Sequence, residues 1–85
     1  MLDSVTVRLY AQARTAAGSA RLTLDVPPNG LAMSAFLAAL ASARPGLRPV
    51  LGTCRVAVND AYVEASEARI RPGDDVAIHP PYSGG

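Results

Sequence analysis

Pro27-Pro28-Asn29-Gly30-Leu31-Ala32-Met33-Ser34-Ala35-Phe36-Leu37-Ala38-Ala39-Leu40-Ala41-Ser42-Ala43-Arg44-Pro45-Gly46 reads as a turn, a helix and a stop. Two prolines remove two backbone donors and Asn-Gly tolerates positive φ, so an extended segment arriving at Val26 must end there. Met33, Phe36, Leu37 and Leu40 recur at i, i+3, i+4 and i+7, one apolar face of a 3.6-residue period. The alanines between them have the highest intrinsic helix propensity. Asn29 is the only ordinary capping residue upstream. Arg44-Pro45-Gly46 ends the helix with a cation in the last turn and a proline just beyond.

Both flanks of this helix read as strand pairs. Val5, Val7 and Leu9 alternate with Thr6, Arg8 and Tyr10, and Leu22, Leu24 and Val26 with Arg21, Thr23 and Asp25. That is the period-2 pattern of half-buried strands. Ala11 to Ser19, between them, is long for a hairpin loop and Ala-rich, and a short helical turn fits there. After the helix, Leu47, Val50 and Leu51 are expected to cover the open end of the core. Arg55 to Val58 is a third strand, Asn59-Asp60 a tight turn and Ala61 to Val63 a short partner strand. Ile70 is a core anchor. Arg71-Pro72-Gly73-Asp74 has the type II arrangement of Pro and Gly, and Asp75 to His79 is the last strand, with Val76 and Ile78 inward. Two antiparallel pairs and a crossover helix share one core if the sheet wraps the helix. The expected class is α+β with the β-grasp, or ubiquitin-like, fold: a mixed sheet wrapped on one main helix over residues 1–79. Other small α+β sheets fit the same pattern.

Composition narrows the function. Eighty-five residues make about one small domain, and 49% hydrophobic with 18% charged residues is a folding composition. Such a chain buries roughly 60% of its unfolded surface, which leaves little room for a deep cavity, so a free-standing enzyme is not expected. A net charge of +1 supplies no field toward nucleic acid or an anionic membrane. All eight cations are Arg, so no side-chain ammonium can be acylated. Cys54, the single cysteine, excludes an internal disulfide, a four-Cys zinc site and a cysteine-held iron–sulfur cluster. It reads as a small buried hydrophobe. Asp74-Asp75 beside Pro-Gly is turn composition, and no metal site is expected. Glu64 and Glu67 with Arg69 and Arg71 read as a solvated face. Met1-Leu2-Asp3 has no signal-peptide character, and the apolar run from Leu31 to Ala43 is too short to span a bilayer. A cytoplasmic protein is expected.

Chemistry concentrates in His79-Pro80-Pro81-Tyr82-Ser83-Gly84-Gly85. Pro80-Pro81 stops the last strand, making 80–85 an extended tail. At ~3.1 Å per residue, six residues in polyproline geometry project about 19 Å. Gly84 and Gly85 lack Cβ atoms, so that end fits a slot closed to other residues. Such a tail suits delivery of a terminal carboxylate into another protein's active site, and it is expected to be mobile without that partner. The bland alternative is a frayed terminus. His79 has no paired Ser, Cys or carboxylate motif, so a strand-end contact is expected rather than general-base work.

Tyr10-Ala11-Gln12-Ala13-Arg14, Val58-Asn59-Asp60, Gly73-Asp74-Asp75-Val76-Ala77 and the ending Pro80-Pro81-x-Ser83-Gly84-Gly85 together resemble the small subunit of molybdopterin synthase. These MoaD-like chains belong to the ubiquitin-like sulfur-carrier family. The resemblance implies a chain that is not an enzyme alone but the sulfur-donating subunit of a transferase. Gly85 would be adenylated and then thiocarboxylated, and would yield its sulfur to a pyranopterin precursor to form the dithiolene. Gly84, Ser83, Tyr82, Pro81, Pro80 and His79 would line up in the partner's channel. The implied partners are the synthase large subunit, a ubiquitin-activating-like adenylyltransferase that uses ATP, and a sulfurtransferase. No bound cofactor, nucleic acid or membrane is implied. Alternatives are a sulfur carrier for thiamine or cysteine-type biosynthesis and a ubiquitin-like protein modifier. Three positions depart from the usual pattern: Thr15 replaces a frequent Glu, His79 a frequent apolar aromatic and Tyr82 a small aliphatic.

Overall fold

The alternation in Val5, Val7 and Leu9 becomes burial: these three side chains face a core in which each is at most 2% exposed. The structure, a computed structural model, describes residues 3–63 and 68–79. In chain order it runs β1 (Asp3–Leu9), α1 (Ala11–Ala17), β2 (Arg21–Val26), β3 (Leu31–Ala32) and α2 (Met33–Ala43). A 3₁₀ turn (Pro45–Leu47) and α3 (Arg48–Leu51) follow, then β4 (Arg55–Val58), β5 (Ala61–Tyr62), β6 (Arg69–Ile70) and β7 (Asp75–His79).

Five strands form one mixed sheet in the order β2-β1-β7-β4-β5. β1 and β7 are parallel, and the other neighbouring pairs are antiparallel. The last strand in sequence is therefore the middle strand in space. Met33, Phe36 and Leu40 of α2 pack against Val5, Val7, Val26, Val76 and Ile78 from the sheet, so the expected helical stripe is the core. Leu47 is fully buried, and Val50 and Leu51 pack beside it over the end of the core as anticipated. This is the β-grasp arrangement.

Several local expectations change. α2 is not capped by Asn29; its N-cap is Ala32, with no side-chain bond. Leu31–Ala32 instead pairs with Arg69–Ile70 in a second, two-stranded sheet, and the Met33 amide donates to the Ala68 carbonyl at 3.1 Å. A neighbouring strand thus satisfies a free helix-end donor that a side chain ordinarily takes. Gly30 makes that approach possible. Its φ is +83°, and a Cβ there would lie 2.5 Å from the Ile70 carbonyl oxygen. Arg44 sits at the C-cap of α2 rather than in its last turn. Ala11 to Ala17 is a full α1, ended by Gly18 in the left-handed region. β5 ends at Tyr62, one residue early, although the Val63 amide still donates to the Val56 carbonyl. Asn59 and Asp60 both have positive φ, the conformation a two-residue hairpin turn requires. Glu64 and Glu67 lie outside the described residues; Arg69 donates to the carbonyls of Asn29 and Gly30.

Candidate functional site

β7 is held on both sides along its length. Val7, Arg8 and Leu9 lie beside Val76, Ala77 and Ile78, and Arg55 to Val58 run antiparallel along the other flank. Val76 and Ile78 point into the core and are fully buried. Asp75, Ala77 and His79 therefore point to the outer face. Ala77 is still 3% exposed and Ala57, its cross-strand neighbour, 6%. Larger neighbours must cover these two small residues, and the register supplies Arg8 beside Ala77 and Tyr62 beside Ala57.

The entry of β7 is tied by charge and hydrogen bonds. Arg8 donates through Nε to one oxygen of Asp75 at 3.1 Å, while its Nη2 lies 3.0 Å from the other. Asp75 is the first cause of a rise in the Arg8 pKa above its ordinary value. Asn59 links hairpin to strand: its Nδ2 donates to Asp74 at 3.1 Å and its Oδ1 accepts the Asp75 amide at 3.0 Å. Asp74 also accepts the Arg71 amide. The acidic pair is thus turn and ion-pair chemistry; among the described residues no three metal-ligating side chains gather.

The exit of β7 is tied by rings. His79 stacks on Tyr10 with centroids 4.6 Å apart and planes 4° from parallel. Tyr62 meets the same imidazole edge-on at 5.7 Å. The Arg55 guanidinium, on the residue registered with His79, lies 4.2 Å from the Tyr62 ring centre. The Tyr10 amide donates to the Ile78 carbonyl at 3.2 Å, and its own carbonyl accepts the amides of Ala13 and Arg14. His79 is half-buried and makes the expected strand-end contact. Pro80, Pro81, Tyr82, Ser83, Gly84 and Gly85 lie outside the described residues, as does the expectation of their mobility.

The sequence reading missed Tyr10, Tyr62 and Arg55 as neighbours of His79. The available signal was register: a parallel β1–β7 pair that sets Leu9 beside Ile78 sets Tyr10 beside His79. Cys54 packs against the core, and burial pushes its thiol up. A raised thiol pKa lowers the thiolate fraction and so its reactivity as a sulfur nucleophile. Thr15 turns inward on its own helix, donating to the Ala11 carbonyl at 3.3 Å.

Residues 7–85 match the ThiS family. The chain belongs to that family. It is 35% identical over 82 residues to the molybdopterin synthase sulfur carrier subunit of Chlamydomonas reinhardtii, covering 95% of this chain and 98% of the algal one. Among solved structures, SAMP1 from Haloferax volcanii superposes with a TM-score of 0.80 at 31% identity, covering 96% of this chain and 99% of that one. Subunit 1 or 2 in the molybdopterin-converting factor complex from Helicobacter pylori matches at 0.66 and 26%, with 96% and 99% covered. This ThiS-family chain therefore shares the ubiquitin-like fold and is similar to sulfur carrier subunits along most of its residues.

Proposed function

We propose that this chain is the sulfur-carrier subunit of a molybdopterin synthase, inert alone and reactive through Gly85. The observation that carries this reading is end-to-end likeness to a named sulfur carrier subunit, joined to a Gly-Gly ending just beyond a strand paired on both sides. The name of the Helicobacter pylori complex, subunits 1 and 2 of a converting factor, supports a large-subunit partner.

The chemistry follows from the terminal group. A chain-terminal carboxylate has a pKa near ~3.5 and is an unreactive anion at neutral pH. Attack of that carboxylate on the α-phosphate of ATP at a partner adenylyltransferase releases pyrophosphate and leaves a mixed anhydride with AMP. Hydrosulfide supplied by a sulfurtransferase then attacks the Gly85 acyl carbon; the C–S bond forms as the C–O bond to AMP breaks, a proton is lost, and the Gly85 thiocarboxylate remains. Its sulfur attacks a carbon of the pyranopterin precursor in the large subunit and displaces an oxygen substituent; water then hydrolyses the resulting thioester, which leaves the sulfur on the pterin and returns Gly85 to a carboxylate. Gly84 keeps the end slim, and Ser83, Tyr82, Pro81, Pro80 and His79 line up within the partner's channel. The carrier holds no cofactor of its own; ATP is consumed by the partner, in the cytoplasm. Among the described residues no helix is long and apolar enough to cross a membrane.

The test is intact-mass analysis of the chain co-expressed with its own genome's adenylyltransferase and sulfurtransferase. A mass gain equal to one sulfur-for-oxygen exchange, located at Gly85, is the expected result. An unchanged terminus under conditions that thiocarboxylate a known carrier defeats the reading. The SAMP1 likeness favours a second reading, a protein modifier linked through Gly85. High-mass conjugates that vanish with Gly85 deleted distinguish it. With no Lys in the chain, such conjugates cannot be Lys-linked chains of itself.

A further inference from the structure

We infer that Tyr10 is a positioning residue: with Tyr62 it clamps His79 and fixes the end of β7, the point at which the C-terminal segment begins. The inference rests on the sulfur-carrier reading and assigns a task to residues that reading leaves idle. Tyr10 and Tyr62 are 38% and 55% exposed, so neither contributes much to the core. Both rings nevertheless converge on one imidazole, one face-on at 4.6 Å and one edge-on at 5.7 Å. Offset stacks and edge contacts are the two favoured aromatic geometries, and here one ring receives both. Two contacts from different directions restrict both rotation and tilt of that ring, which one contact alone would not.

The clamp is built on backbone that is itself fixed. Tyr10 is bonded through its amide to Ile78 and through its carbonyl to Ala13 and Arg14. The next residue, Ala11, has φ of +49°, a conformation that non-glycine residues hold only where surrounding bonds over-determine it. Tyr62 is steadied by the Arg55 guanidinium over its ring. His79 stands immediately before Pro80, and a residue preceding proline is already restricted toward extended geometry. A ring held on two sides and a backbone restricted toward extended geometry together hold the end of β7 in place. Holding the root of a binding segment reduces the ordering cost at association, which strengthens binding without changing the chemical step.

The experiment compares wild type, Tyr10→Ala, Tyr10→Phe and Tyr62→Ala as substrates for the same genome's adenylyltransferase, following pyrophosphate release with ATP. Tyr10→Ala keeps the backbone bond to Ile78 and removes only the ring. Its KM for the carrier should rise roughly three- to tenfold, the range a stacking contact commands, with kcat unchanged. Tyr10→Phe should restore the wild-type KM, and Tyr62→Ala should show a smaller rise. A KM unchanged in Tyr10→Ala, or not rescued by Phe, overturns the clamp. NMR supplies an independent arm on the carrier alone: the His79 ring protons should lose their ring-current shift in Tyr10→Ala, and the His79 amide order parameter should fall. An unaltered order parameter overturns the clamp even if the wild-type chain is no substrate. Failure of wild type as a substrate counts against the sulfur-carrier reading, and the order parameter then decides the clamp separately.

Discussion

β7 is fastened at its entry by ions and at its exit by rings. At Asp75 the contacts are an arginine fork, an asparagine bridge and backbone donors, all directed and short. At His79 they are one stacked ring and one edge contact, with a guanidinium over the Tyr62 ring. Both ends lie on the outer face of one strand, so their difference is not set by depth. It follows the neighbours: the entry meets the β4–β5 hairpin turn, while the exit meets the corner between β1 and α1. Directional bonds suit a junction that must hold register. Flat rings suit a junction that must hold an angle and still offer a surface to a partner.

The largest expected effect separates chemistry from fold. Deleting Gly85 should abolish thiocarboxylation entirely and leave the thermal midpoint unchanged, since among the described residues the core ends at Ile78; a lowered midpoint by calorimetry would show that the exit end also carries stability. Asn59→Ala comes next and acts on the entry alone. It removes two side-chain hydrogen bonds and puts alanine at φ of +53°, for a loss of about 1–2 kcal/mol in urea denaturation. Asn59→Gly should lose less, because glycine accepts that φ freely. Both variants should keep the wild-type KM for adenylation, and a KM change would mean the two ends are coupled. Asp75→Asn should weaken the protein by less than Asn59→Ala, and the difference from wild type should shrink as salt rises toward 1 M, because the Arg8–Asp75 pair is partly exposed.

The smallest effect concerns Cys54, which precedes β4. Burial raises its thiol pKa, so the fold favours the protonated form. Its contribution to stability is complete below the unfolded value of about 8.5 and declines as pH rises through the higher folded value. Denaturation midpoints should therefore fall slightly in alkaline buffer, and Cys54→Ala should flatten that fall. A steeper fall in the alanine variant would assign it to another group.

Much of this architecture was legible because apolar spacing is dictated by element geometry. The alternation around Val5 and Leu22, the Met33–Leu40 stripe and the turn at Arg71–Asp74 each appear where their periods and turn residues put them. The start of α2 was not legible, because its donor is answered by the carbonyl of Ala68, thirty-five residues away in the chain and invisible to local rules. The same limit hid the exit clamp. Tyr10, Arg55, Tyr62 and His79 are far apart in sequence, and only the parallel pairing of β1 with β7 and the antiparallel pairing of β4 with both its neighbours assembles them. The role proposed for the Gly-Gly ending rests on missing side chains, which can be read without tertiary context, and it lies outside the described residues.

The place of β7 in the sheet also bears on biosynthesis. Until residues 75–79 have left the ribosome, β1–β2 and β4–β5 are two separate hairpins with no strand to join them. Such long-range closure is slow relative to local contacts, and here it waits for residues 75–79. A chain truncated before β7 therefore lacks the strand that joins the two pairs, and with it the single five-stranded sheet.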